Sequence, residues 1–154
     1  MPKLSFDRHV PYSPEQMIAL VGDLGSYPRF VPNCRGMEVR PDRGAPDTLF
    51  GKMTLSFGPI TQAYTSRVVT DRPAGTISAR AVDGPFSHLI SQWRFVPDAA
   101  GTRVHFDIDF KISNPFVAAV AEPAFAAKQG EIMDAFMAEA DRRYGGGAAT
   151  SPQP

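Results

Sequence analysis

The chain has 154 residues with sixteen basic and sixteen acidic side chains, so it carries no net charge at pH 7 and no global basic field for nucleic acid. That size suits one domain able to bury a real core. Its single cysteine, Cys34, excludes an internal disulfide, no Cys/His group has zinc spacing, and a reducing, cytosolic setting is expected.

The opening "MPKLSFDRHV" lacks the apolar stretch of a secretory leader. Nowhere does the chain hold the run of about eighteen apolar residues that spans a bilayer, so any membrane contact is expected to be peripheral. Residues 3–10 alternate, with Leu4, Phe6 and Val10 on one face, and read as a strand with one wet face. Arg8 shares the apolar parity and is expected inside or at a rim, where it could hold a headgroup or phosphate. "SPEQMIALVGDLG" reads as a short helix: Ser13 caps it, Pro14 opens it, Gln16 completes a capping box and Gly25 ends it. A second helical turn starts at Ser26 and stops at Pro32.

From Gly36 to Ile112 the pattern is strands and turns. Strands are expected at 36–41, 48–58, 60–70, 75–82, 88–96 and 102–112, separated by "PDRGAPD", "FGPI", "DRPAG", "DGPF" and "PDAAG". The last is the clearest. Val104, Phe106, Ile108, Phe110 and Ile112 share one face, and His105, Asp107, Asp109 and Lys111 the other. Short connections imply an antiparallel meander. "SNPF" then opens a long helix to about Tyr144, about 45 Å if straight, with a kink or break expected before Pro123. Phe125, Ile132, Phe136 and Ala140 form its stripe, widened by Met133, Met137 and Tyr144. Residues 1–144 therefore read as a single domain, and 145–154 as a disordered Gly/Pro-rich tail. The architecture is an α+β grip: a twisted antiparallel sheet of six to seven strands wrapped around one long helix, with a cavity where the two do not close flush.

Four segments, "DLGSYPRFVPNC", "TSRV", "DGPFSHLISQWRF" and "DFKISNPF", occur in the order found in the START-like, helix-grip superfamily. Within it the chain resembles the coenzyme Q-binding group, with its polyketide-cyclase-like and ribosome-association-toxin relatives. The resemblance implies a hydrophobic cavity for ubiquinone or a related polyisoprenoid lipid, no required cofactor, and a role supporting respiration. One departure is "VPNC", where the family often has Leu-Pro-Trp-Cys; Asn33 is expected to make that rim more polar.

Each feature has a bland reading and a functional one. Tyr27, Phe30 and Val31 either plug the core or form a stiff apolar lid, at one end of the grip and opposite the long helix. Leu89, Trp93 and Phe95 face inward; Trp93 offers a flat ring and an N–H for a quinone oxygen. Met133 and Met137 beside Phe136 are core, or an adaptable wall for an isoprenoid chain. Phe106, Phe110 and Phe125 complete the expected lining. His9 and His105 should face solvent, and His88 could sit at a rim. Cys34 reads as a small buried residue. Asp107 and Asp109 should face water, which makes them a poor acid/base pair. No catalytic dyad or metal-ligand pair is evident.

A non-enzymatic lipid carrier is therefore the first expectation, cytoplasmic or peripheral at the inner membrane. A ribosome-binding toxin comes second, because RNA contact needs a basic surface. A cyclase or dehydratase comes last, because the inferred inward faces are almost wholly apolar. No DNA partner is expected.

Overall fold

The connection from the first strand to the second carries the chain from one edge of a sheet to the other, and two short helices make that crossing. The computed structural model describes residues 3–57 and 60–145. In order come β1 (Lys3–Val10), α1 (Pro14–Gly22), a 3-10 turn (Leu24–Arg29), β2 (Cys34–Pro41), β3 (Thr48–Phe57), β4 (Ile60–Asp71), β5 (Thr76–Ala81), β6 (Phe86–Asp98), β7 (Gly101–Ile112), α2 (Pro115–Ala140) and a wide final turn (Asp141–Gly145). The strands form one seven-stranded antiparallel sheet in the order β1-β7-β6-β5-β4-β3-β2. This is the expected meander, with β2 and β6 each starting two residues earlier than read from the sequence.

Period-two patterning sets which face is covered. On β7, Thr102, Val104, Phe106, Ile108, Phe110 and Ile112 are all buried, while Arg103, Asp107 and Lys111 are exposed. The buried faces of β1, β6 and β7 meet α2, which packs chiefly on β7 and β1. Asn114 caps α2 by accepting from the N–H groups of Phe116 and Val117 at 2.9 and 3.2 Å. The Glu122 carboxylate accepts from the Ile112 N–H at 2.7 Å, tying the helix to the end of β7.

Two expectations about helix ends change. α1 stops at Gly22, not Gly25, because Asp23 leaves helical geometry while its N–H still bonds the Leu20 carbonyl. α2 runs without interruption through Pro123. Pro123 and Ala119 are both exposed, so the carbonyl freed by the missing N–H lies on the solvent side. The buried stripe of α2 is Phe125, Gln129, Met133, Phe136, Glu139 and Ala140, with Ile132 and Met137 half-buried. Two polar residues thus sit where the sequence suggested only apolar ones. The expected tail falls, from residue 146 on, outside the described residues.

The end of α2 is held by ions and phenols. Buried Glu139 accepts from Arg142 Nε at 2.9 Å and Arg143 Nε at 2.8 Å. Arg143 also reaches Asp23 at 3.3 Å and donates to the Ser26 hydroxyl at 3.0 Å, clamping the 3-10 turn to the helix end. Tyr144 donates to the Gln16 carbonyl at 3.0 Å and Tyr12 to Asp141 at 2.5 Å. Hydrogen bonds from Arg142, then Arg143, hold the Glu139 carboxyl down at about 2 against an ordinary 4.5. A carboxyl lowered by folding stabilises the fold fully above its unfolded pKa, and that contribution fades as pH falls toward the folded value. Glu139→Gln is therefore expected to lower the melting temperature at pH 7, and the gap from the unaltered protein should narrow as pH falls from 4.5 towards 2, read by circular dichroism.

Candidate functional site

The concave face of the sheet carries small residues where a filled core would need large ones. Gly51 on β3 faces Ser66 on β4, and Ala79 on β5 faces Ser91 on β6. At Gly51 an added Cβ would come within 3.1 Å of Leu24 and 3.2 Å of Met37, so the floor there already touches the 3-10 turn and β2. Because α2 leans on β7 and β1, its Phe125, Gln129, Ile132 and Phe136 line the space above this floor without filling it. The result is an apolar cavity of about 130 Å³, partly open to solvent. An engineered apolar cavity of about 150 Å³ admits one benzene ring. The space therefore matches one aromatic ring rather than a whole lipid.

The walls are aromatic. Trp93 lies with ring centroids 4.5 Å from Phe106 and 5.0 Å from Phe136. Tyr27 and Phe30 meet Phe136 edge-on at 5.2 and 5.1 Å. The lid segment thus packs directly on the long helix, which corrects the expectation that it lies opposite. Its Tyr27 hydroxyl donates to the Val21 carbonyl at 2.5 Å, and burial raises that phenol's pKa well above the ordinary range.

Of the residues singled out from the sequence, Tyr27, Val31, Leu89, Trp93, Phe106, Phe125 and Phe136 line the cavity. The other four lie elsewhere. Phe30 is half-buried behind Tyr27 and Phe136. Phe110 is fully buried against Phe125, centroids 4.6 Å apart, in a layer behind the wall. Met133 is fully buried and Met137 half-buried, both outside the lining. Sequence reasoning missed the floor itself, Gly51, Ser66, Ala79 and Ser91, and the polar side chains Tyr64 and Gln129. For the floor a signal existed: small residues at inward parity in four successive strands.

Polar atoms in the lining are few and differ in what they can do. The Tyr64 hydroxyl meets Met53 Sδ at 3.8 Å, a weak bond, and burial raises its pKa. Gly84, at φ +103°, lets the turn before β6 press against Tyr64, where a Cβ would sit 2.4 Å from the tyrosine Cβ. Gln129, only 3% exposed, donates its amide to the Phe125 carbonyl at 3.1 Å.

Several other expectations resolve away from the cavity. Arg8 pairs with Asp134 at 3.6 Å and lies over the Phe6 ring, bracing β1 to α2 rather than standing at the cavity rim. His88 pairs with Asp109 at 3.0 Å on the outer face of the sheet, also not at a rim. His9 pairs with Asp98 at 3.2 Å, and Asp107 accepts from Ser5 at 2.6 Å on the outer side. Asn33 is a turn residue pinned to β3 and is not among the cavity lining. It sits at φ 67°, where asparagine is favoured, and its amide donates to the Ser56 carbonyl at 2.7 Å. Cys34 is buried, and burial raises its thiol pKa. Among the described residues no group of three His, Cys, Asp or Glu could hold a metal ion, and no helix is long and apolar enough to cross a membrane.

A curved seven-stranded sheet gripping a C-terminal helix over an apolar hollow defines a START-like, helix-grip domain. The chain belongs to the polyketide cyclase/dehydrase and lipid transport family, whose sequence profile matches residues 10–137. It is 32% identical over 146 residues to the ribosome association toxin RatA of Escherichia coli K12, covering 94% of this chain and 90% of that one. It is 30% identical over 141 residues to the mitochondrial coenzyme Q-binding protein COQ10 of Drosophila melanogaster, covering 88% of this chain and 57% of that one. The crystal structure of the Zhui aromatase/cyclase from Streptomyces superposes with a TM-score of 0.81 at 16% identity, over 92% of this chain and 94% of the other, a likeness of fold.

The Phe136 ring joins lid, wall and helix and is 2% exposed. Phe136→Ala is expected to cost about 3–5 kcal/mol of unfolding free energy, measured by urea titration, because the aromatic neighbours Tyr27, Phe30 and Trp93 cannot collapse into the gap.

Proposed function

We propose that this protein binds the ring of a ubiquinone-like polyisoprenoid lipid in its cavity and carries or presents it in support of respiration, without catalysing a reaction on it. The observation that carries this reading is the ring-sized apolar hollow walled by Trp93, Phe106 and Phe136 over a floor of Gly51, Ser66, Ala79 and Ser91. Similarity to a coenzyme Q-binding protein supports the ligand class. Burying a ring and the first isoprene units gains about 25 cal/mol per Å² removed from water, so few polar contacts are needed. The tail of such a lipid would leave through the open side, towards half-buried Met37, Met53 and Ile132. The unbranched thioethers of Met37 and Met53 adapt there more readily than branched side chains would. A carrier of this kind works in the cytoplasm with peripheral contact at the inner membrane. Nothing in the reading requires a cofactor.

A second reading rests on the match to RatA across nearly the whole chain: the protein associates with the ribosome. Sucrose-gradient profiles after overexpression separate the two. Unaltered subunit joining removes the ribosomal reading, and free subunits accumulating with a cavity-filled variant would remove the need for a ligand.

Filling the floor tests the first reading. Ala79→Leu places about three methylene equivalents into the hollow. The variant is expected to stay folded and to lose more than about tenfold in affinity for a short-chain ubiquinone, measured by calorimetry. The unaltered protein purified from its own host should yield a prenyl quinone on lipid extraction. Absence of any prenyl lipid, together with no quinone-induced rise in melting temperature, would reject the carrier reading.

A further inference from the structure

Among the polar side chains that line the cavity, Gln129 and Trp93 are of opposite kinds, and each is fixed in its kind. Gln129 spends its amide N–H on the Phe125 carbonyl at 3.1 Å, within its own helix. Its Oε1 is thereby left as a pure acceptor, and among the described residues nothing donates to it. Gln129 is 3% exposed, and no fully buried side-chain oxygen or nitrogen among the described residues lacks a partner, so its Oε1 keeps a little accessible surface that a ring filling the cavity would seal from water. Trp93 supplies the complement. Its indole N–H is donor-only, it lines the same cavity, and among the described residues it meets no acceptor. The hydroxyls of Ser66 and Ser91 can rotate to give or receive and so favour neither kind of partner.

A ligand ring that satisfies this pair must both accept and donate. A quinone carries only acceptors: it can meet Trp93 but leaves Gln129 Oε1 facing a lone pair or an apolar edge. A hydroquinone or phenol carries an O–H that can donate to Gln129 while a ring oxygen accepts from Trp93. Leaving a buried acceptor unpaired costs more than an average hydrogen bond gains, so the mismatch weighs on the quinone. We infer that this cavity selects the hydroxyl-bearing form of its ring ligand, a hydroquinone or phenol, over the quinone, with Gln129 as the specificity-determining acceptor. The inference rests on the ring-binding reading above and sharpens it from a lipid class to a protonation and oxidation state. It involves recognition alone; no bond is made or broken by the protein.

The test is an anaerobic calorimetric titration of the full chain with tetramethyl-1,4-benzoquinone and, separately, with its two-electron-reduced hydroquinone. The hydroquinone is expected to bind about tenfold more tightly, the size of one satisfied buried acceptor. Gln129→Met keeps length and volume but removes the acceptor, and should bring the two affinities within about twofold by weakening the hydroquinone. Trp93→Phe should weaken both forms by a similar factor. Should Gln129→Met fail to fold, the unaltered protein titrated with p-cresol and with toluene carries the same comparison, with p-cresol expected to be the tighter. Equal or reversed affinities, with both forms binding, overturn the inference and leave ring binding standing. A preference that survives in Gln129→Met overturns it as well. If neither form binds, the ring-binding reading itself falls.

Discussion

One helix cannot cover the concave face of seven strongly twisted strands, and everything distinctive here follows from which part α2 leaves bare. Its side chains press on β7 and β1, where Phe106, Ile108 and Phe110 are large and buried. Across β3 to β6 the inward positions carry Gly51, Ser66, Ala79 and Ser91 instead. A close-packed interior is the rule, and a hollow persists only where no side chain can reach it. Small residues below and an offset helix above satisfy that condition together. Neither alone would do so: bulky floor residues would meet the helix, and a centred helix would fill a small-residue floor.

The lid and the helix end form one mechanical unit. Tyr27 belongs at once to the cavity wall and to the turn whose Ser26 hydroxyl and Asp23 carboxylate are held by Arg143. Arg143 is fixed in turn by buried Glu139. The side-chain exposures of Arg143 and Glu139, 20% and 8%, leave this pair partly shielded from solvent. The aromatic contacts of Phe136 with Tyr27 and Phe30 continue the same junction inwards. Lid position is therefore coupled both to the last turn of α2, through Arg143 and Phe136, and to β2, with which the 3-10 turn makes its most extensive contact.

Strand order, the capping box at Ser13 and the cap at Asn114 were legible because each rests on local patterning: alternation over six or more residues, or a polar residue one step before a proline. The lining was legible only in part. Trp93, Phe106 and Phe136 announce themselves by size, but size does not distinguish a wall from the layer behind it. Phe110 and Met133 have the same parity or stripe as true lining residues and differ only in depth, which is set by how the sheet curls. Gln129 was passed over because a polar residue in a helix is ordinarily assigned to solvent; its helical phase, four residues from Phe125 and seven before Phe136, was the available clue. Arg8 misled in the opposite sense, since the parity of an edge strand does not reveal that its side chain reaches an exposed carboxylate on the neighbouring helix.

The cavity's volume constrains the mode of binding more tightly than its composition does. About 130 Å³ accepts one ring, whereas a polyprenyl chain is several times larger, so a lipid of that class, if bound, would have most of its length outside the hollow. The free energy for holding it must then come from the ring and the nearest isoprene units, and the remaining tail contributes only where it finds another apolar surface. The first turns of α2 provide such a surface, with Phe116 86% and Val120 68% exposed on a helix start whose one charged side chain, Glu122, is turned to the Ile112 N–H. On the proposed lipid-binding reading, ring recognition and tail accommodation would be physically separate, and the polar pair of Gln129 and Trp93 would act on the ring alone.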